Sequence, residues 1–197
     1  MKLYLNKASP YARLVLVVAH EKQLSQRIEL VWTDPWASDE RLLGVTPLAK
    51  VPVLVAEDSE PLVESVCICE YLDDIGAGPA LLAGSGNERL QVLRKYGLGR
   101  GLIDVAFGAV IEQRYGGGSD SMLIQRWRGA VERTTAVLEK DSTLGLGPDL
   151  GDVTVAVALS YVDFRMSDIV WRTSAPRLRA WFEQIAARPS MRATAPE

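Results

Sequence analysis

Residues 1–22 read M-K-L-Y-L-N-K-A-S-P-Y-A-R-L-V-L-V-V-A-H-E-K, and this segment indicates the fold class. Residues 2–5 predict a short strand. Ser9 followed by Pro10 predicts a helix start, with serine as the N-cap and proline at the first helical position. Apolar residues at helical spacing extend this helix to Lys22. A strand that leads through a short connection into a helix is typical of an α/β domain.

The alternation of strands and helices continues beyond this segment. Further elements are predicted as strands at residues 27–32, 51–56 and 62–63 and as a helix at residues 65–74. We expect Ser65 to cap that helix. A turn at residues 57–60 separates the last two strands. Residues 1–76 are therefore expected to form one small α/β domain.

The remainder of the chain has a helical pattern throughout. Residues 77–86 are rich in Gly, Ala and Pro and predict an interdomain linker, so that residues 87–197 form a second, all-helical domain. Helices are predicted at residues 87–115, 122–140, 150–166 and 176–188. The first of them, ended by the glycines of residues 116–119, has an apolar set of Leu90, Leu93, Leu98, Leu102, Ile103 and Phe107. The third follows a loop at residues 145–148 and begins with a capping box formed by Asp149 and Asp152.

Composition excludes several classes of protein. The 197 residues are 48% hydrophobic and 24% charged, as in ordinary globular proteins, which excludes a disordered or collagen-like chain. The net charge of −3 and the absence of long basic runs exclude an electrostatic nucleic-acid surface. The longest apolar run, residues 14–19, is too short to span a membrane, and no signal peptide is visible. We expect a cytoplasmic protein with no membrane partner.

Cysteine and histidine are too few and too poorly spaced to predict a metal centre. Cys67 and Cys69 lie two positions apart on a predicted helix, and His20 is the single histidine. We expect no metal, and we interpret both cysteines as small buried residues in a reducing compartment. His20 has no nucleophile at a recognisable spacing and is expected to lie at a helix end.

Ser9 is the first residue that could carry chemistry. It lies where the unpaired N–H groups and the dipole of a helix N-terminus create positive potential. A hydroxyl at this position could donate to an anion such as a thiolate and lower its pKa. The simpler interpretation, an N-cap alone, is compatible with the first.

Two further motifs suggest a binding site. Pro52 starts a predicted strand, and the base rate for X–Pro bonds favours trans; a cis bond would expose the N–H and C=O groups of Val51 to an extended peptide ligand. Glu64 and Ser65 place a carboxylate and a hydroxyl at a second helix N-terminus. That combination suits an amino-acid moiety, with Glu64 binding its ammonium group and Ser65 its carboxylate.

Two other features have structural interpretations. The glycines of residues 97–101 lack the G-x-G-x-x-G spacing of a dinucleotide site and predict close helix packing. Trp32 and Trp36 flank the loop after the second strand, where they could serve in packing or as walls of an apolar pocket.

The order and spacing of these motifs resemble the cytosolic glutathione S-transferases over essentially the whole chain. The resemblance is carried by S-P-Y-A-R at residues 9–13, K-V-P at residues 50–52 and Glu64-Ser65. The stretches at residues 161–165 and 188–191 are similar to a bacterial, YibF-like subgroup. This resemblance implies an α/β thioredoxin-like N-terminal domain followed by an all-α C-terminal helical domain.

The resemblance also implies roles for individual residues. Val51–Pro52 matches a cis-proline turn whose backbone pairs with the cysteine of glutathione, and Glu64 with Ser65 matches the site of the γ-glutamyl end. Lys50 lies near the position that assists the glycine end, and Ser9 matches the residue that stabilises the glutathione thiolate. Glutaredoxin-like relatives have C-P-Y-C where this chain has S-P-Y-A. Because a hydroxyl cannot form a mixed disulfide, thiol–disulfide exchange at this site is disfavoured.

The implied activity is glutathione transfer to a small, largely apolar electrophile by a homodimer. The candidate residues of the electrophile pocket are Tyr11, Trp36, Asp104 and Phe107. Asp104 and the neighbouring Arg100 face either the cleft or a dimer partner. Two alternatives stay open: a non-catalytic binding protein on the same fold, like the starvation proteins that contact RNA polymerase, and a glutathione-dependent isomerase or dehalogenase.

Overall fold

The computed structural model describes residues 1–57, 59–82, 84–116, 121–145 and 147–196. Parts of four predicted features lie outside the described residues: the turn at 57–60, the linker at 77–86, the helix end at 116–119 and the loop at 145–148. The chain divides into two compact units. The first contains residues 1–82 and the chain end from Ala193, and the second extends to Arg192. Residues 77–82 of the predicted linker therefore belong to the first unit.

The first unit contains a four-stranded mixed sheet with helices, as predicted. Its elements are β1 (Lys2–Leu5), α1 (Pro10–Glu21), a 3-10 turn (Ser25–Arg27), β2 (Glu29–Trp32), α2 (Glu40–Leu43), β3 (Val53–Val55), β4 (Leu62–Val63) and α3 (Ser65–Ile75). The strand order is β2-β1-β3-β4, in which β1 and β2 are parallel and the other neighbours are antiparallel.

Two strands are shorter than predicted, and one helix was not predicted. β2 begins at Glu29 because the preceding residues form a 3-10 turn. β3 begins at Val53, since Pro52 has no N–H to donate to a strand ladder. α2 is a single turn between the second and third predicted strands, and it is capped by Asp39, whose carboxylate accepts from the N–H of Arg41.

A buried ion pair joins α1 and α3 to the residues that follow α3. The ammonium group of Lys22, at the end of α1, lies 3.0 Å from the Asp73 carboxylate and donates to the carbonyl of Pro79 at 3.0 Å. The two oxygens of Asp73 accept from the N–H groups of Leu81 and Leu82, each at 2.8 Å. Through these bonds the residues after α3 are held in place rather than forming a free linker.

All of the regular secondary structure described in the second unit is helical. Its helices are α4 (Gly86–Tyr115), α5 (Met122–Glu139), α6 (Leu150–Arg165), α7 (Trp171–Ser174), α8 (Pro176–Ala186) and α9 (Pro189–Ala193), the last of which runs into the chain end grouped with the first unit. α7 was not predicted. The helix that starts at Pro176 ends before Pro189, as predicted, but it is not the last helix, because Pro189 opens α9 at a position where it needs no N–H bond.

The apolar face of α4 differs from the predicted one. Leu90 and Leu93 are 61% and 41% exposed, whereas Val92 and Tyr96 are buried. The face is set by α6, which packs against α4 at Gly99. The remaining members of the predicted set divide into Leu102 and Ile103, which are buried, and Leu98 and Phe107, which are half-buried.

Two glycines permit the close contact between α4 and α6. A Cβ atom on Gly99 would lie 2.8 Å from the backbone nitrogen of Val155, and one on Gly151 would lie 2.5 Å from the Cβ of Lys95. Gly97 and Gly101 have nothing within 4 Å of such an atom. The prediction that these glycines serve close helix packing is therefore correct for Gly99 and wrong for the other two.

The predicted capping box at the start of α6 is confirmed and holds a buried lysine. The Asp149 carboxylate accepts from the N–H of Asp152 at 2.9 Å, and that of Asp152 accepts from the N–H of Asp149 at 3.2 Å. Lys95 lies 2.6 Å from Asp149 and 2.8 Å from Asp152. Burial raises the pKa of Asp152, and the Asp149 charge adds to this against the opposing effect of Lys95.

Candidate functional site

Ser9 caps α1, as its position before Pro10 predicts. Its backbone is extended, with φ −82° and ψ 117°, and its Oγ accepts a hydrogen bond from the N–H of Ala12 at 3.2 Å. The hydroxyl proton has no acceptor among the described residues. Because the cap uses Oγ only as an acceptor, the proton can be donated to a ligand at the helix N-terminus.

The Val51–Pro52 peptide bond is cis, contrary to the base rate for X–Pro bonds and in agreement with what the family resemblance implies. Strand register brings this turn beside the other motifs. Val53 pairs with Val63, and continuing this antiparallel register places Pro52 opposite Glu64 and Val51 opposite Ser65.

The carboxyl end of β1 lies at the same end of the sheet. Tyr4 pairs with Val53, and continuing that register places Leu5 opposite Pro52. The connection that follows Leu5 leads directly to Ser9 and the start of α1. The sheet therefore brings Ser9, the cis turn and the start of α3 to one end of the first unit.

At the start of α3 the structure corrects the predicted cap. Glu64, exposed and with φ 69°, is the N-cap residue and makes no capping hydrogen bond with its side chain. Ser65 is the first helical residue, so the expectation that it caps the helix is wrong. It is 2% exposed, and its Oγ has no hydrogen-bond partner in the described structure. Burying a hydroxyl without a hydrogen-bond partner costs free energy. The Ser65 hydroxyl therefore still has the capacity to donate and to accept a hydrogen bond at this position.

Two helix N-termini therefore meet at this end of the sheet. α1 and α3 pack against each other and begin at Pro10 and Ser65. The dipoles of the two helices create positive potential at these N-termini, to which the exposed Lys50 beside the cis turn adds. This arrangement favours an anionic ligand that has a carboxylate together with the N–H and C=O groups of a peptide.

The proposed pocket residues are distributed over both units. Tyr11 is half-buried in the first turn of α1, and Trp36 is 56% exposed in the turn after β2. On α4 of the second unit, Asp104 is paired with Arg100 at 2.8 Å, and Phe107 is half-buried.

Asn6 is not among the candidate residues predicted above, but it belongs to the site through the connection that carries Ser9. Its side chain accepts from the N–H of Ala8 at 3.0 Å and donates to the carbonyl of Thr33 at 3.3 Å. Asparagine directly after a strand is a signal for this kind of local turn, and that signal was available in the sequence. The contact between Asn6 and Thr33 is not indicated by the sequence, because it joins residues that follow two different strands.

The cysteines and the histidine lie outside these contacts. Cys69 is buried as expected, but Cys67 is exposed, since residues two apart lie on different sides of a helix. His20 is half-buried in the last turn of α1. Within the described ranges no three His, Cys, Asp or Glu side chains are grouped to hold a metal ion, and no helix there is long and apolar enough to cross a membrane.

Comparison with known families agrees with this fold. Residues 8–75 match the family model "Glutathione S-transferase, N-terminal domain", and residues 121–184 match "Glutathione S-transferase, C-terminal domain". The two matches cover more than half of the chain and fall on its two units. The chain belongs to the glutathione S-transferase family.

Individual relatives support the assignment over the full length. The chain is 30% identical to the "Uncharacterized GST-like protein YibF" of Escherichia coli K12, with 100% of this chain and 98% of that protein covered. This agrees with the YibF-like resemblance of the sequence.

Solved structures of similar proteins contain glutathione. A glutathione transferase family member from Pseudomonas fluorescens Pf-5 with bound glutathione is 34% identical, with a TM-score of 0.92 and coverage of 100% of this chain and 98% of that one. A glutathione S-transferase from Methylobacillus flagellatus KT, also with glutathione bound, is 31% identical, with a TM-score of 0.88 and coverage of 100% and 99%.

Proposed function

We propose that this protein is a glutathione transferase in which Ser9 stabilises the glutathione thiolate for attack on a small electrophile. The observation that carries the proposal is the strand register. It brings Ser9, the cis Val51–Pro52 turn and Glu64 with Ser65 to the same end of the sheet. The glutathione bound by the similar proteins from Pseudomonas and Methylobacillus supports the same ligand here.

In the proposed complex the two ends of the ligand bind to different groups. The γ-glutamyl carboxylate binds the N-terminus of α3 and the unpartnered hydroxyl of Ser65, and its ammonium group binds Glu64. The N–H and C=O groups of Val51 pair with the cysteine backbone of glutathione. Lys50 binds the glycine carboxylate.

The chemistry requires a lower thiol pKa. A free thiol has a pKa of about 8.5, so a decrease of about two units makes thiolate the main species at pH 7. Each unit corresponds to about 1.4 kcal/mol of preferential stabilisation of the thiolate. One hydroxyl hydrogen bond together with a helix N-terminus is of that size. The thiolate sulfur then forms a bond to the electrophilic carbon, and the leaving group departs with the electron pair.

The finer parts of the proposal concern the electrophile and the assembly. We propose a small, largely apolar electrophile, with Tyr11 and Trp36 as candidate contacts on the first unit. On α4, Asp104 and Phe107 are further candidate contacts of the electrophile, which substitutions can test. We also propose a homodimer in the cytoplasm, where reduced glutathione is available.

The deciding experiment is a calorimetric titration of the protein with reduced glutathione at pH 7. We expect a dissociation constant between about 1 μM and 1 mM. A Glu64→Ala variant should bind more weakly, whereas Glu70→Ala, which changes an exposed glutamate within α3, should bind like the unmodified protein. No binding up to about 10 mM, with a second method in agreement, would contradict the proposal and direct attention to a regulatory role.

A further inference from the structure

Ser9 stands at the end of residues 6–9, the connection between β1 and α1. This connection leaves the sheet and must present the Ser9 hydroxyl at a defined point beside the sheet end. Lys7 and Ala8 within it are exposed. The conformation of the connection therefore depends on a small number of bonds made by its first residue, Asn6.

Asn6 uses three groups to organise this connection. Its Oδ1 accepts from the N–H of Ala8 at 3.0 Å, and its main-chain oxygen accepts from the N–H of Ser9 at 3.2 Å. The first of these bonds closes a local turn of the kind that Asn favours. The second fixes the backbone of Ser9 on its amino side, while the bond from Ala12 fixes the hydroxyl on its helix side.

The third group joins the connection to the neighbouring strand. The Nδ2 of Asn6 donates to the carbonyl of Thr33, immediately after β2, at 3.3 Å. Thr33 is itself fixed to β1 because its N–H donates to the carbonyl of Leu5 at 2.9 Å. Lys7 adds a weaker contact, with its ammonium group 5.9 Å from the ring centre of Trp32.

We infer that Asn6 is a positioning residue, whose tether to Thr33 sets the place of the Ser9 hydroxyl in the reaction. The inference rests on the proposed function of Ser9. The bonds of Asn6 are formed in a half-buried to exposed part of the unit, where water can replace them. Removing them therefore costs little folding free energy, but it loosens the group that must meet the thiolate, and reactions are sensitive to small displacements of such groups.

The test measures the apparent thiol pKa of bound glutathione from the pH dependence of thiolate absorbance, together with turnover and affinity. For Asn6→Ala we expect the thiol pKa to rise by about half a unit, which corresponds to about a threefold change in thiolate population below that pKa. Glutathione affinity should stay within about twofold. Asn87→Ala, the same change at the exposed second asparagine of the chain, should leave both unchanged.

A second comparison distinguishes positioning from a general structural effect. If Asn6 acts through Ser9, then Asn6→Ala should have no further effect on the thiol pKa in a Ser9→Ala background. Should Asn6→Ala fail to fold, Asn6→Ser can replace it, because serine can still close the local turn but is too short to reach Thr33. We expect Asn6→Ser to raise the thiol pKa in the same way.

The outcomes separate this inference from the proposed function. A normal thiol pKa in Asn6→Ala, or an equal shift with and without Ser9, would overturn the role of Asn6 while leaving glutathione binding and Ser9 in place. If the unmodified protein does not bind glutathione, or if Ser9→Ala leaves the thiol pKa unchanged, the proposed function itself fails and the role of Asn6 fails with it.

Discussion

Lys22 and Asp73 form an ion pair with 3.0 Å between the ammonium nitrogen and a carboxylate oxygen, and their side chains are only 2% and 8% exposed. Each charge also has backbone partners: Pro79 for the lysine, and Leu81 and Leu82 for the aspartate. The pair thus joins the ends of two helices to the residues that follow α3. Removing one partner of such a pair leaves a buried charge unpaired, which costs more than the pair itself contributes.

Asp73→Ala should strongly destabilise the protein. We expect a loss of about 3–5 kcal/mol in the free energy of unfolding, because the Lys22 ammonium group stays buried without its counter-ion. Urea denaturation provides the measurement. Asp74→Ala removes the adjacent, exposed carboxylate and should change stability by less than about 0.5 kcal/mol. Similar losses for the two variants would contradict the role assigned to the ion pair.

The same carboxylate should make stability depend on pH. Burial pushes the pKa of Asp73 up, but the hydrogen bonds from Leu81 and Leu82 and the charge of Lys22 outweigh it, so that the pKa lies below its usual range. In the unfolded chain the pKa is about 3.9. The contribution of Asp73 is therefore present above about pH 4 and is lost as the pH falls through the folded-state value.

Asp73→Asn should accordingly flatten the acid limb of the stability curve. Denaturation curves for both proteins at a series of pH values between neutral and acid would measure this difference. We expect the gap between them to narrow as the solution becomes more acidic. A constant gap over the whole range would show that Asp73 does not titrate differently in the folded and unfolded states.

Ser9→Ala should reduce turnover at least about tenfold, equivalent to about 1.4 kcal/mol, while glutathione affinity changes little. The hydroxyl acts on the thiolate, whereas the ligand is held mainly elsewhere. Loss of the N-cap should also lower stability by about 1 kcal/mol, which thermal unfolding will record. Ser9→Thr retains a hydroxyl and should preserve most of the activity. Turnover of Ser9→Ala equal to that of the unmodified protein would remove Ser9 from the mechanism but not the chain from its family.

Ser65→Ala should weaken glutathione binding without destabilising the free protein. Its hydroxyl is buried without a partner, so its removal should leave the free protein as stable as before or stabilise it by about 1 kcal/mol. Glutathione binding should weaken by about 1–3 kcal/mol, because the γ-glutamyl carboxylate loses a donor. Thermal unfolding and calorimetry test the two effects on one sample. A destabilised variant with normal affinity would mean that the hydroxyl serves the fold and not the ligand.

Three glycines on α4 allow a matched test of helix packing. Gly99→Ala brings a methyl group against the backbone of α6 and should cost about 1–3 kcal/mol. Gly97→Ala and Gly101→Ala meet open space and should stabilise the helix by about 0.5–1 kcal/mol each. Chemical denaturation of the three single variants is sufficient. If Gly99→Ala stabilises the protein as the other two variants do, then α4 and α6 do not approach each other closely at Gly99.

The sequence predicted best those features that neighbouring residues determine. Ser9 before Pro10 specifies a capped helix start, and Asp149 with Asp152 specifies a capping box; both are present. The predicted cap of α3 is wrong by one residue. Glu64 takes the N-cap position with a positive φ, which glutamate rarely adopts and which the sequence does not indicate.

Features that depend on distant contacts could not be predicted in this way. The start of α8 is capped by Glu139 of α5, whose carboxylate accepts from the N–H groups of Arg177 and Leu178. The buried face of α4 follows from its contact at Gly99 and not from its leucines. For the site, the sequence supplies the residue types and their order along the chain. Which of these residues lie close together depends on strand register. Their individual roles were inferred from the family resemblance.

The strand register also has a practical use. Since the cis turn and the start of α3 lie at one end of the sheet, β3 ends at Val55 and β4 begins at Leu62 at the opposite end. A fluorophore attached at the exposed Glu57 or Glu60, next to these strand ends, would sit a full strand length away from Ser9 and Glu64. The fold therefore supplies an attachment point at the end of the sheet away from the proposed ligand.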